Sequence, residues 1–164
     1  MATSPLRDEL AKACRAAQVV GAALLISLGM YAFAIDQIQR TRAPFTGFAP
    51  GVPHGLLRAI LAACALAGLG LARVLQRLIL ANAALPPLAR LNSAAIVALA
   101  LCEATAIYGF MLFMLAGRPS DYYLFAALAL VGFLLYFPRR EAWEERAREM
   151  ARDTTGPRST PPRT

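Results

Sequence analysis

Four apolar runs organise the chain, none of them alternating polar with apolar residues as a half-buried strand would: Ala16 to Ile35, Leu56 to Leu80, Ser93 to Ala116 and Asp121 to Phe137. A helix rises 1.5 Å per residue, so about 20 apolar residues cross a bilayer. The pattern predicts an all-α, polytopic membrane protein with four transmembrane helices in an antiparallel bundle, spanning about 16–35, 56–80, 93–116 and 121–137. Between the runs lie breakers. Asp36 to Gly55 holds Pro44, Pro50 and Pro53 and is expected to be a loop that brings Phe45 and Phe48 to the membrane interface. Ala81 to Asn92, with Pro86-Pro87, and Gly117-Arg118-Pro119-Ser120 are expected to be short turns. Residues 1–15 read as a cytoplasmic segment in which Ser4-Pro5 starts a short amphipathic helix. Residues 139–153 read as a short cytoplasmic charged helix, with Glu144 paired to Arg148 and Trp143 anchored at the interface, and 154–164 as a disordered tail. Ala32-Phe33-Ala34 has the look of a signal-peptide cleavage site, but the long, partly acidic leader before it favours a retained first span.

Composition agrees with the runs. Of 164 residues 58% are hydrophobic and 16% charged, which excludes an ordinary soluble domain. The net charge of +7 would suggest a nucleic-acid partner if the arginines formed a patch, but they flank the apolar runs and fill the tail. The partner they imply is the lipid bilayer. One side of the membrane collects Arg7, Lys12, Arg15, Arg73, Arg77, Arg90, Arg139 and Arg140, against Arg40, Arg42, Arg58 and Arg118 on the other. The positive-inside rule therefore places both termini in the cytoplasm of a multi-pass protein of the inner (plasma) membrane. Cys14, Cys64 and Cys102 show no CxxC spacing and read as packing residues. His54, the single histidine, sits between Pro53 and Gly55 and reads as solvated, with no role. No Ser/His/Asp set, metal-ligand cluster or phosphate loop stands out, so neither an enzyme nor a cofactor is expected.

One residue breaks the apolar pattern where breaking it is costly. Glu103 lies near the centre of the third run, and a carboxylate near the midplane costs about 2.5 to 3.5 kcal/mol on insertion scales. Folding the second and third runs into a hairpin about Pro86 sets Glu103 opposite Leu69, where Gly68, Gly70 and Ala72 are expected to let the helices pack closely and a backbone carbonyl to bond the carboxyl. Thr105 and Tyr108 are the candidate polar partners, reaching the site across a helix interface rather than along the helix. A weak internal repeat aligns Ala17 with Ala94, which sets Ile26 where Glu103 stands.

The stretch Leu101-Cys102-Glu103-Ala104-Thr105-Ala106-Ile107-Tyr108-Gly109 resembles the carboxylate helix of the rotary ATP synthase c subunit (proteolipid), where Glu, Ala, then Ile-Tyr-Gly recur in that order. The likeness extends over about residues 56–116. It implies that Glu103 is an ion-binding carboxylate with Tyr108 as its hydrogen-bonding neighbour. Ala104 stands where sodium-binding members carry a hydroxyl, which implies protons. The layout differs from the family's: one span precedes the hairpin, another follows it, and the turn reads Leu85-Pro86-Pro87-Leu88 in place of Arg-Gln-Pro. Two functional classes therefore stay open. In one, Glu103 is a proton site in an ion-translocating assembly, built from copies of this chain or from other membrane subunits. In the other, the protein is a structural or assembly subunit whose neutral Glu103 fixes helix register.

Overall fold

A computed structural model describes residues 5–82, 84–139, 141 and 143–146. It contains four helices, α1 (Pro5–Thr41), α2 (His54–Ala81), α3 (Pro87–Ala116) and α4 (Pro119–Tyr136), and a short helical turn near 143–146. All four are long and apolar enough to cross a membrane. The expected disordered tail, residues 147–153 of the charged helix, Arg148 and the Ser4 cap lie outside the described residues.

The first helix is longer than the apolar run that announced it. At 37 residues α1 joins the N-terminal segment to the span and continues through Asp36, so the loop begins only after Thr41. Its last turn is held by the Asp36–Arg40 pair at 2.9 Å and by Thr41 Oγ1 donating to the Gln37 carbonyl at 2.8 Å. No breaker intervenes before Pro44, which is why the helix runs on. At the next turn Pro86 precedes the helix and Pro87 occupies its first position, where a missing N–H costs nothing.

The third helix is the centre of the bundle. It packs against α1, α2 and α4, whereas α1 and α2 do not touch each other among the described residues. Lipid tails are as apolar as leucine, so helices in a membrane associate by van der Waals packing, and small residues permit it. The buried face of α3 follows that rule: Ala94, Ala95, Ala98, Cys102, Thr105, Ala106 and Gly109 recur at helical spacing. Gly68 and Gly70 do not serve as the close approach expected of them, since a Cβ built on either meets nothing within 4 Å. Ala72 does pack, being fully buried. The tight approaches are elsewhere. A Cβ on Gly109 would lie 2.6 Å from the Phe125 Cβ and 3.1 Å from the Tyr122 Cα, and one on Gly132 would meet Cys102 Sγ at 2.7 Å and Leu69 Cδ2 at 3.0 Å. Side-chain tips can rotate aside, whereas Cβ and Cα atoms cannot. Gly109→Ala is thus expected to cost about 2 kcal/mol and Gly132→Ala under about 1 kcal/mol, read from unfolding midpoints in detergent. Equal costs would contradict this account of α3–α4 contact.

Trp143 is not an interface anchor. It is buried against Leu10, Cys14 and Leu91, tying the segment after α4 to α1 and α3. Gln18 reinforces that end by donating to the Pro138 carbonyl at 3.1 Å. Cys14 and Cys102 are buried as expected of packing residues, and Cys64 faces outward.

Candidate functional site

Glu103 finds its partner on α1. Ser27 Oγ lies 2.5 Å from Glu103 Oε1 and 2.7 Å from the Leu24 carbonyl oxygen, so one hydroxyl touches two acceptors. A serine hydroxyl owns a single hydrogen and two lone pairs. If it donates to Leu24, the Glu103 contact needs a hydrogen from the carboxyl; if it donates to Glu103, the Leu24 contact has none. A protonated carboxyl would meet both contacts at once, donating to Ser27 Oγ while that hydroxyl donates to the Leu24 carbonyl.

The direction of Glu103 follows from its neighbour. Cys102 is turned toward Leu69 and Gly132, and one residue further a helix rotates about 100°, which carries Glu103 away from α2 and α4. The carbonyl of Leu69, the residue expected to lie opposite Glu103, is bonded by Tyr136, whose hydroxyl donates to it at 3.3 Å. Glu103 itself is half-buried, on the stripe of α3 that includes the exposed Ala100, Ile107 and Met111. That stripe faces outward between α1 and α2. The carboxyl therefore sits beside bilayer-facing surface while keeping a hydroxyl partner inside the bundle.

The other expected site residues lie apart from it. Thr105 is 1% exposed and gives its hydroxyl to the Leu101 carbonyl at 3.3 Å, one turn back on its own helix. Tyr108 packs with Leu61, Leu112 and Phe125 between α3, α2 and α4. Neither bonds Glu103 among the described residues. Gly68 and Gly70 stand clear of the carboxyl's bonds, as does Ala72. Ser27 is the partner the sequence reading missed. It was discoverable, because aligning Ala17 with Ala94 sets it one residue past the position of Glu103 on a parallel helix.

A second polar cluster occupies the end of the bundle that holds the 42–53 loop. His54 Nε2 and Asp121 Oδ2 are 2.6 Å apart, and Arg58 Nε lies 3.5 Å from Asp121 Oδ1. Asp121 is 2% exposed, which corrects the reading of His54 as a solvated residue without a role. The chain enters α2 and α4 from the same end, so the first turns of both helices meet there. A carboxylate in the first turn of α4 also faces the positive end of the helix dipole. The next residue, Tyr122, donates its hydroxyl to the Leu28 carbonyl and so links this end to α1. Among the described residues no three His, Cys, Asp or Glu side chains converge on a metal site.

Fold and site together define a class, the multi-span helical membrane protein with a hydroxyl-bonded carboxyl at mid-depth. No family model matches the sequence, and no curated protein or solved structure matches it either.

Proposed function

We propose that this protein uses Glu103 as a reversible proton site within an ion-translocating membrane assembly of its own copies or other subunits. The carrying observation is the pairing of Glu103 with Ser27, a hydroxyl that can accept a hydrogen from the carboxyl while donating its own to the Leu24 carbonyl. Its half-buried place on the outward stripe of α3 gives that proton a way off the carboxyl toward a partner subunit. The resemblance of residues 101–109 to the proteolipid carboxylate helix supports the same chemistry, with Ser27 taking the hydrogen-bonding part that the family pattern gives to a tyrosine. The fourth helix covers the Cys102 and Gly109 face and leaves the Glu103 stripe to α1. The reading is non-enzymatic, and the arginine distribution orients both termini to the cytoplasm of the inner (plasma) membrane.

A second reading has its own observation: the bond joins α1 to α3 through side chains within both apolar spans. On that view the protein is an assembly subunit and Glu103 a neutral strap.

The two differ in what glutamine does at this position. Carbodiimide attacks protonated carboxyls reached from lipid, so the native protein in proteoliposomes is expected to be labelled at Glu103 and Glu103→Gln to be unlabelled. Proton movement through the reconstituted assembly is expected to vanish in Glu103→Gln while the helices still pack. Undiminished proton movement in Glu103→Gln would defeat the proton-site reading. Loss of assembly in Glu103→Ala with full recovery in Glu103→Gln would favour the strap.

A further inference from the structure

At the end of the bundle opposite His54, α2, α3, the close of α4 and the 143–146 turn surround a cavity of about 270 Å³. Its polar lining is basic: Arg73 and Gln76 come from α2, Arg139 follows α4, and Arg146 closes one side. None of the lining side chains is a carboxylate. Among the described residues none of the three guanidinium groups is ion-paired. Three like charges around one recess repel until an anion enters, and planar guanidinium forks match phosphate oxygens two at a time.

The recess is continuous with apolar surface. Leu134 and Leu135 also line it, and they are 71% and 74% exposed on the bilayer-facing side of α4. A free phosphate would use only the charged recess. A phospholipid would use both, with its headgroup among the arginines and its chains along the leucines. The volume suits a headgroup and not a whole lipid.

We propose that this cavity is a binding site for an anionic phospholipid, its phosphate held by Arg73, Arg139 and Arg146 and its glycerol oxygens reached by the Gln76 amide. Basic recesses between spans at the water boundary select anionic headgroups in this way. The site is separate from Glu103 and does not depend on the role given to that residue.

Trp143, the single tryptophan of the chain, lines the cavity and reports on it directly. The full-length protein would be placed in phosphatidylcholine vesicles containing equal fractions of either phosphatidylglycerol or phosphatidylcholine brominated near the headgroup end of its chains. Bromine quenches indole fluorescence at close range, so the phosphatidylglycerol form is expected to quench Trp143 more. The preference is expected to fall about fivefold for each of Arg73→Gln and Arg139→Gln, and to survive Arg77→Gln, which lies outside the cavity. An unchanged Trp143 emission maximum in plain phosphatidylcholine shows that each variant is folded. Equal quenching by the two lipids would overturn the proposal, as would a preference that persists in the triple Arg73→Gln, Arg139→Gln, Arg146→Gln protein. If inorganic phosphate alone shifts Trp143 emission in an Arg73-dependent way while the two brominated lipids quench equally, the site takes free phosphate and the lipid assignment fails.

Discussion

Replacing His54 with alanine is expected to destabilise the bundle by about 3 to 5 kcal/mol, the cost of stripping a buried carboxylate of its close partner. Asp121 is 2% exposed, and without the imidazole its nearest cation is Arg58, 3.5 Å away and itself 48% exposed. Water cannot reach the carboxylate well enough to replace the lost bond. Arg58→Ala is accordingly expected to cost only about 1 kcal/mol or less, as exposed partners usually do. His54→Gln keeps a donor on a side chain of similar reach and should recover part of the loss. The informative variant removes both partners: His54→Leu with Asp121→Leu leaves no buried charge and is expected to be more stable than His54→Ala. Unfolding in mixed micelles by titration with dodecyl sulfate measures all four. A His54→Ala protein that unfolds at the native midpoint, or a double variant worse than the single, would show that the pair does not hold this end together.

The sequence made the spans plain for a simple reason. Apolar runs interrupted by Pro44, Pro86-Pro87 and Pro119 leave little choice about where helices lie, although α1 and α3 each extend past their apolar runs into polar residues. What it left obscure was rotation. In a soluble helix the polar face marks the outside, but in lipid both faces are apolar, so the side toward which Glu103 points is not written in hydropathy. Residue size carries that information instead. Ala95, Ala98, Cys102, Ala106 and Gly109 trace the packed face of α3, and Glu103 lies off it beside Ala100 and Ile107. The glycines of α2 drew the eye because glycine is the smallest residue, yet Gly68 and Gly70 have open space beside them. His54 and Asp121 were obscure for another reason. They are 67 positions apart, and each looked ordinary at the start of its own helix. Only the alternating direction of the chain, which brings the first turns of α2 and α4 to one end, joins them.

That same end supplies the second large effect, at Gly117. The residue closes α3 in the left-handed region at φ 72°, with its N–H donating to the Phe113 carbonyl at 2.7 Å. A Cβ there would lie 2.5 Å from the Phe45 carbonyl oxygen, 2.6 Å from the Thr46 carbonyl carbon and 2.7 Å from the Gly47 nitrogen, all backbone. The loop cannot withdraw to make room. Phe48 and Ala49 donate to the Met114 and Leu115 carbonyls at 2.9 and 3.0 Å, satisfying oxygens that the end of α3 would otherwise leave unpaired. Gly47 is itself at φ 84° and pressed against the Leu115 carbonyl, so the two glycines lock the loop onto the helix from both sides. Gly117→Val combines a β-branched residue at positive φ with a backbone collision. Strain of about 1 to 3 kcal/mol and overpacking of similar size put the expected loss near 4 kcal/mol. Because the same turn leads into Asp121, the His54 pair is expected to weaken with it. Gly51→Ala is the control: its Cβ meets nothing within 4 Å, and the expected change is within about 0.5 kcal/mol. Dodecyl sulfate unfolding gives both stabilities, and protease cleavage within residues 42–53 reads the loop separately. If Gly117→Val keeps the native midpoint and a protected loop, the loop does not cap α3 in the manner argued, and the His54–Asp121 pair must be positioned by α2 and α4 alone.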